Sequence, residues 1–392
     1  MNKKLMALAV SGALFAPAVA MAQAANVTVY GIMDADFEVV SASSAPGGVS
    51  IASRNKVSSN SSRLGFRGEE PLGNGMSAWF QIESAVNADG LGSSIGTRNT
   101  AVGLKGAWGT MLYGQWDTPL KVSTVGLDPF GDVGIAAYCG LICAPGFTVQ
   151  SAQASASNVS GAQPWDARVA NSVQYWTPDF NGFSLRFAYG ANEQKSNSAA
   201  PVQISPDVWG GALAYRSGPL YASVAYERHK DTGAIAAAGT ASSGHDNDTR
   251  ASLSYTFGSL TATAIYDSQQ YQNDTAATNL KRTAWGAIFT YPTGPHTFRG
   301  YYIRAADATG SFGAAVVAGP MSGANTGATQ YALGWGYSLS KRSEVYVLGT
   351  SITNKDRAAY DFGSNAVGVK VGGTSLVGAD PRGVAFGIKH VF

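Results

Sequence analysis

The chain has 392 residues, of which 13% are charged and 48 are glycine. Ordinary soluble domains contain roughly 25% charged residues, so a soluble protein of this composition would have a poorly solvated surface. The formal charge of +2 reflects Lys3 and Lys4 near the amino terminus, and the rest of the chain is balanced. This balance excludes a general basic field and argues against nucleic acid as a partner.

The first 22 residues have the pattern of a secretory signal peptide. Lys3 and Lys4 precede an apolar run over 5–20, and Ala20-Met21-Ala22 offers small residues at a cleavage site. We expect cleavage after Ala22, or alternatively after Ala24, which leaves 23–392 as a single domain. A membrane anchor is the other interpretation, but the run is short and alanine-rich for a spanning helix of about 20 residues.

The next segments alternate between apolar and polar residues with a period of two. In 27–39 the odd positions are mostly apolar, whereas Asp34, Asp36 and Glu38 occupy even positions. The same alternation recurs at 183–189, 250–257 and 330–337. Such strands have one face suited to lipid and one suited to water. A second apolar run of spanning length is absent from the sequence, which argues against a helical membrane domain.

Short and long connections separate these strands in turn. The predicted short turns are 70–75, 106–109, 178–182, 217–219, 258–259, 292–295 and 339–342; the predicted long loops are 41–57, 87–97, 118–167, 192–206, 231–247, 272–280, 307–327 and 355–380. Seven short and eight long connections divide the chain into sixteen strands. The pattern predicts an all-β fold, a 16-stranded antiparallel transmembrane β-barrel with short periplasmic turns and long extracellular loops.

The last ten residues form the final amphipathic strand. Val384, Phe386, Ile388, His390 and the terminal Phe392 fall on one face. A barrel is closed only if its last strand pairs with its first, so we expect this strand to pair with 27–39 and leave no open edge. Phe392 is therefore predicted to mark barrel closure and to act as an assembly signal.

Several motifs together resemble the general trimeric porins of Gram-negative bacteria, particularly the beta-proteobacterial type. They are V-T-V-Y-G-I-M-D at 27–34, S-S-R-L-G-F-R-G-E-E-P-L-G-N-G at 61–75, V-G-L-K-G-A-W-G-T at 102–110, N-S-V-Q-Y-W-T-P-D-F-N-G-F at 171–183, Y-S-L-S-K-R-S at 337–343 and G-I-K-H-V-F at the end. The resemblance implies a homotrimer in the outer membrane, in contact with lipid and lipopolysaccharide. It also implies passive diffusion of ions and small hydrophilic solutes without a cofactor.

The resemblance further implies that the third extracellular loop, at 118–167, folds into the pore. Its D-P-F-G at 128–131 resembles the inward segment of the family, although a floppy external loop is the alternative. A loop of this length without structure is unusual in a compact architecture.

Charged residues at the constriction are the expected site. The family places arginines on the wall opposite an acidic loop, and this pattern implies Arg63, Arg98 and Arg168 on the wall, with Arg67 on the same face as Arg63. The expected acidic residues are Asp128 and Asp132 on the loop and Glu83 in the lumen. A solvated position at the rim is the alternative for each of them.

Two positions depart from the family pattern. Gln115 and Gln174 stand where the family often has arginine. Because the loss of two lumenal cations weakens a preference for anions, we expect weak selectivity of either sign.

Cys139 and Cys143 lie close together in the long loop of an exported chain, where a disulfide is permitted. We expect a disulfide at the loop tip. A metal site is poorly supported, because two thiols without a nearby histidine fall short of the usual four ligands.

Three other functions remain open from the sequence. A channel specific for small organic anions or sugars could use Tyr30, Trp79 and Trp116 as a track. A barrel enzyme would need a serine, a histidine and a carboxylate together, and the four histidines at 229, 245, 296 and 390 suggest no such set. A secreted soluble β-sandwich is the third alternative. No enzymatic activity is expected.

Overall fold

The computed structural model describes residues 27–43, 45, 49–90, 94–144, 159–160, 165–191, 193, 195, 205–231, 244–273, 278–311, 323–371 and 374–392. The predicted signal peptide and its cleavage site lie outside these residues. Within these ranges, no helix has both the length and the apolar character needed to cross a membrane.

Sixteen strands build the wall. They are β1 (Thr28–Ala42), β2 in two halves (Ile51–Ser59 and Arg63–Gly73), β3 (Met76–Ala85), β4 (Thr100–Gly106), β5 (Gly109–Asp117), β6 (Arg168–Trp176), β7 (Phe183–Gly190), β8 (Asp207–Ser217), β9 (Leu220–Lys230), β10 (Gly244–Phe257), β11 (Leu260–Asn273), β12 (Thr278–Thr293), β13 (His296–Ala305), β14 (Ala328–Ser338), β15 (Ser343–Asn354) and β16 (Pro381–Val391). Short strands lie in the connections at Val159–Ser160, Thr309–Ser311, Lys370–Val371 and Thr374–Ser375.

Each wall strand pairs antiparallel with its neighbours in the chain, and the ring is closed. β1 pairs with β16 from Ile32 opposite Val391 to Ala42 opposite Pro381. Beyond this register, Phe392 and Gly31 exchange backbone hydrogen bonds of 3.1 and 3.0 Å. Among the described residues, the wall strands therefore leave no free sheet edge. The predicted fold class and the strand count are confirmed, and the β-sandwich alternative is excluded.

The wall has an apolar outer face and a polar inner face. On β10, Leu253 is 54% and Tyr255 is 40% exposed, whereas Arg250, Ser252 and Ser254 on the opposite face are buried. On β16, Phe386 belongs to the predicted apolar face and is 59% exposed. A band of large exposed apolar side chains suits contact with lipid hydrocarbon.

Several strands extend further than the sequence pattern predicts. The second half of the predicted loop 41–57 belongs to β2, and β10 begins at Gly244 inside the predicted loop 231–247. Asp246 on β10 pairs in register with His229 on β9. Backbone pairing thus continues beyond the apolar band, where both faces of the strands carry polar residues and the alternation disappears.

Candidate pore constriction

β5 ends at Asp117 and β6 begins at Arg168, so the connection between them spans 118–167 with the predicted bounds. It contains the helix α1 (Pro119–Thr124) and 3-10 turns at Val125–Leu127 and Tyr138–Gly140. Thr118 caps α1 by accepting a hydrogen bond from the Lys121 N–H. Pro119 is the first residue of the helix, and the fixed φ of proline suits that position. Local sequence therefore starts the helix directly after the strand.

Asp128 organises the turn that follows. Its carboxylate accepts the backbone N–H of Phe130 at 2.9 Å and that of Tyr138 at 2.8 Å. Burial raises the pKa of Asp128 to about 7, although these N–H donors oppose the shift. The predicted constriction residue thus holds the connection in shape.

Side chains of the inner wall hold the connection by its backbone carbonyls. The donors are Tyr221 to Ser123 (2.7 Å), Gln269 to Ile142 (2.8 Å), Arg282 to Ile142 (3.2 Å), Tyr301 to Ala136 (3.1 Å) and Arg299 to Pro129 (3.2 Å). These donors come from β9, β11, β12 and β13. They satisfy carbonyl groups of residues that are mostly buried.

A buried ion cluster strengthens this attachment. Arg250 Nε lies 2.9 Å from Asp267 Oδ2, and its Nη2 lies 3.2 Å from Asp248 Oδ2. The same guanidinium donates to Thr124 Oγ1 at 3.3 Å and to the Trp165 carbonyl at 3.4 Å. All three charged side chains are fully buried. The cluster therefore joins the wall to the connection, and sequence analysis did not identify it.

Most of the predicted charged residues meet around one cavity of about 340 Å³, here called the charged cavity. Its lining includes four basic residues, Arg63, Arg98, Lys121 and Arg168, and four acidic residues, Glu83, Asp117, Asp132 and Asp166. Five of these eight residues are among those predicted from the sequence. Lys121, Asp117 and Asp166 were missed.

Glu83 is the centre of the wall side of the charged cavity. Its Oε1 lies 2.7 Å from Arg98 Nε, and its Oε2 lies 3.7 Å from Arg63 Nε and accepts a hydrogen bond of 3.0 Å from the Tyr30 hydroxyl. A second ion pair joins Asp117 Oδ1 and Arg168 Nε at 3.1 Å. The wall therefore carries its own counter-charges, which differs from the expected opposition of a basic wall and an acidic loop.

The connection contributes charges of both signs. Lys121 Nζ lies 2.8 Å from Asp166 Oδ2, 3.5 Å from Asp117 Oδ1 and 4.0 Å from Asp132 Oδ2. Burial lowers the pKa of Lys121, but the nearby Asp166 and Asp117 outweigh it and the net pKa is raised. Burial and the neighbouring Asp166 raise the pKa of Asp132 well above its ordinary value. For Asp166 burial acts in the raising direction, but Lys121 outweighs it and the pKa is lowered. The pKa of Asp132 therefore lies above that of Asp166, because Lys121 is closer to Asp166 than to Asp132.

Two predicted residues lie apart from the charged cavity. Arg67 is exposed in another cavity, with its guanidinium 5.2 Å from the ring centroid of Tyr30. Asp128 borders a third cavity of about 230 Å³ near Asp34 and Asp36. The structure therefore does not bring these two residues together with the others, because Arg67 lies further along β2 and Asp128 faces a different part of the wall.

The two glutamines that depart from the family pattern bind backbone groups. Gln115 donates to the carbonyls of Thr97 and Arg98 at 3.0 and 3.1 Å. Gln174 is 1% exposed and donates to the Asp117 carbonyl at 3.2 Å. Both amides thus support residues at or beside the charged cavity without adding a charge.

The sulfur atoms of Cys139 and Cys143 are bonded to each other, and their Cα atoms are 4.5 Å apart. A carboxylate oxygen of Asp166 lies within 4.8 Å of both sulfurs. Sulfurs joined in this way offer no thiolate, so these three residues do not fit a metal site.

The disulfide leads to a direct prediction. Protein denatured without a reductant should take up no thiol-alkylating reagent, because both sulfurs are oxidised. The same protein treated with a reductant should gain two alkyl groups per chain in intact-mass spectrometry. Alkylation of both cysteines without reductant would contradict the disulfide.

A closed sixteen-stranded barrel with an apolar outside and a charged cavity inside defines a channel of the bacterial outer membrane. Residues 7–357 match the model of the Gram-negative porin family, and the chain belongs to that family. The resemblance noted in the sequence is thereby confirmed, and with it the location in the outer membrane and the role of a porin.

Individual relatives agree with this assignment. The chain is 31% identical over 397 residues to outer membrane porin protein 32 of Delftia acidovorans, covering all of both chains. It is 28% identical over 307 residues to the major outer membrane protein P.IB of Neisseria meningitidis serogroup B, covering 70% of this chain and 86% of the relative. The solved anion-selective porin from Comamonas acidovorans superposes with a TM-score of 0.73 at 26% identity, covering 94% of this chain and all of that one.

Proposed function

We propose that the 118–167 connection narrows a passive, water-filled channel, and that the charged cavity filters the ions and small hydrophilic solutes that pass. The observation that carries this proposal is the meeting of wall and connection around one cavity, with charged side chains from both. Sixteen strands are enough to enclose an aqueous channel. A narrowing segment is then needed to give the channel a size limit.

The hydrogen bonds from β9, β11, β12 and β13 support this position of the connection. A segment projecting freely outward could not accept donors from the inner face of four wall strands. The Arg250 cluster adds a fixed anchor at Thr124 and Trp165. This attachment makes the constriction a permanent part of the channel.

Selectivity is expected to be weak, with a mild preference for anions. The charged cavity has equal numbers of basic and acidic groups, and burial together with Asp166 raises the pKa of Asp132 well above its ordinary value. Protonation of Asp132 would leave one excess positive charge, and local basic groups favour anions. The Comamonas porin, described as anion-selective, is a relative with the same fold.

Conductance across a planar bilayer tests this proposal. Purified protein should give stepwise currents in KCl, and the reversal potential in a KCl gradient should show a mild anion preference. This preference should decrease as the pH rises, because deprotonation of Asp132 adds a negative charge. Asp132→Asn should abolish the pH-dependent step, since an amide stays neutral and asparagine tolerates the left-handed φ of 58°. A strong and pH-independent anion bias in the wild type would contradict the proposed filter.

We also propose that the chain assembles as a homotrimer with outer-membrane lipid and lipopolysaccharide around it. OmpT of Vibrio cholerae, a protein of the same fold, has been solved in a trimer form. Cross-linking in detergent should give a species of three chains. The relatives are channels, and we propose no catalytic activity.

A further inference from the structure

Three tryptophans form a second feature of the inner face, closer to the short turns than the charged cavity. Trp79 on β3, Trp116 on β5 and Trp176 on β6 have ring centroids 5.5 to 6.4 Å apart and are here called the tryptophan cluster. Each is only half-buried. A cavity of about 730 Å³ borders all three, together with Arg67, Glu69, Gln81 and Lys105.

The absence of a side chain at Gly103 leaves room for the Trp79 indole to lie along the wall. A Cβ at Gly103 on β4 would come within 2.8 Å of Trp79 Nε1, so only glycine allows the indole to cross that strand. The rings are too close to one another to hold a guest between them. A ligand must therefore stack on the ring surface that still faces the cavity.

Charges around the cluster favour an anionic ligand. Lys105 is paired with Glu69, whereas Arg67 is exposed and has no carboxylate among the ion pairs of the described residues. Arg186 lies over Trp176, 4.6 Å from the ring centroid. A cation is therefore already stacked on the cluster, and a second, soluble cation would be repelled.

The two cavities follow each other along the same wall strands. Arg63 at the charged cavity and Arg67 at the cluster are four residues apart on β2, about 13 Å along the strand. Trp116 directly precedes Asp117 of the charged cavity. A solute that passes the charged cavity along this wall reaches the cluster next.

We propose that this channel binds small planar aromatic carboxylates, with the ring on the tryptophan cluster and the carboxylate on Arg67. The inference rests on the proposed channel function and defines a class of solute for it. A guanidinium binds a carboxylate with two parallel hydrogen bonds, and an indole face offers apolar contact to a flat ring. Binding is weak and reversible, as passage through a channel requires.

Single-channel recording with benzoate tests this inference. Benzoate should reduce or interrupt the KCl current in a saturable manner, whereas acetate and glucose at equal concentration should not. Trp116→Leu and Arg67→Gln should each raise the concentration of benzoate that gives half block roughly tenfold, since each removes one of the two contacts. Trp285→Leu is the matched control, because Trp285 is exposed on the outer face of β12 and should leave the block unchanged.

The possible outcomes distinguish a failure of the aromatic carboxylate site from a failure of the proposed channel function. If wild-type channels conduct KCl but benzoate and acetate act alike, the aromatic site is excluded and the porin function stands. If glucose blocks as well as benzoate, the cluster recognises sugars and the inference fails. Should Trp116→Leu not assemble, Arg67→Gln alone decides, and an unchanged benzoate block in that variant overturns the inference. A wild type without KCl current would instead overturn the proposed channel function.

Discussion

Replacing Arg250 with methionine is expected to destabilise the barrel strongly and to loosen the 118–167 connection. The guanidinium is fully buried and pairs with Asp248 and Asp267, which are also fully buried. Removing one partner of a buried ion pair leaves an uncompensated charge and costs about 3–5 kcal/mol. The variant also loses the donors to Thr124 and Trp165, so the connection loses its anchor on β10.

Denaturant unfolding in detergent measures the first effect, and current noise in single channels measures the second. Arg304→Met is the matched control, because Arg304 is an exposed wall arginine on β13 and should change neither readout. Adding Asp248→Asn to Arg250→Met should recover part of the lost stability, since the one buried carboxylate that remains, Asp267, still has Arg282 3.6 Å away as its counter-charge. A midpoint for Arg250→Met equal to that of the wild type would show that the cluster does not stabilise the barrel, and unchanged current noise would show that it does not hold the connection.

The barrel could be predicted because its signals are local. Alternation with a period of two marks the strands, and the short turns contain the glycine, asparagine and proline that tight reversals need. Gly182 and Asn181, for example, have positive φ in the predicted turn before β7. Pairing of the first and last strands then follows, since a membrane excludes open sheet edges.

The partners across the lumen could not be predicted in this way. Arg250 meets Thr124 and Trp165 from 126 and 85 residues away, and nothing in β10 indicates those contacts. Asp117 was missed for a different reason. It is the last residue of β5, and its partner Arg168 is the first residue of β6, so the pair can be recognised only once the β5–β6 register is known.

Glu83→Gln is expected to produce the largest change in ion selectivity. Glu83 is 7% exposed and compensates both Arg63 and Arg98, so its neutralisation leaves two arginines without their common carboxylate. Glutamine has nearly the same shape, and its amide oxygen can still accept the Tyr30 hydroxyl, so the wall should fold as before.

The reversal potential in a KCl gradient should move towards that of a pure chloride conductor. One unit of charge about 4 Å from a passing ion is worth about 1 kcal/mol in water, which corresponds to roughly a fivefold gain in chloride permeability and roughly a fivefold loss in potassium permeability. Raising the salt concentration should reduce the change, because ions in the channel screen the freed arginines. Glu70→Gln is the matched control, since Glu70 is exposed near the first short turn, outside the charged cavity. If Glu83→Gln folded and conducted with an unchanged reversal potential, permeating ions would not pass the charged cavity, and the narrowing of the channel would have to lie elsewhere.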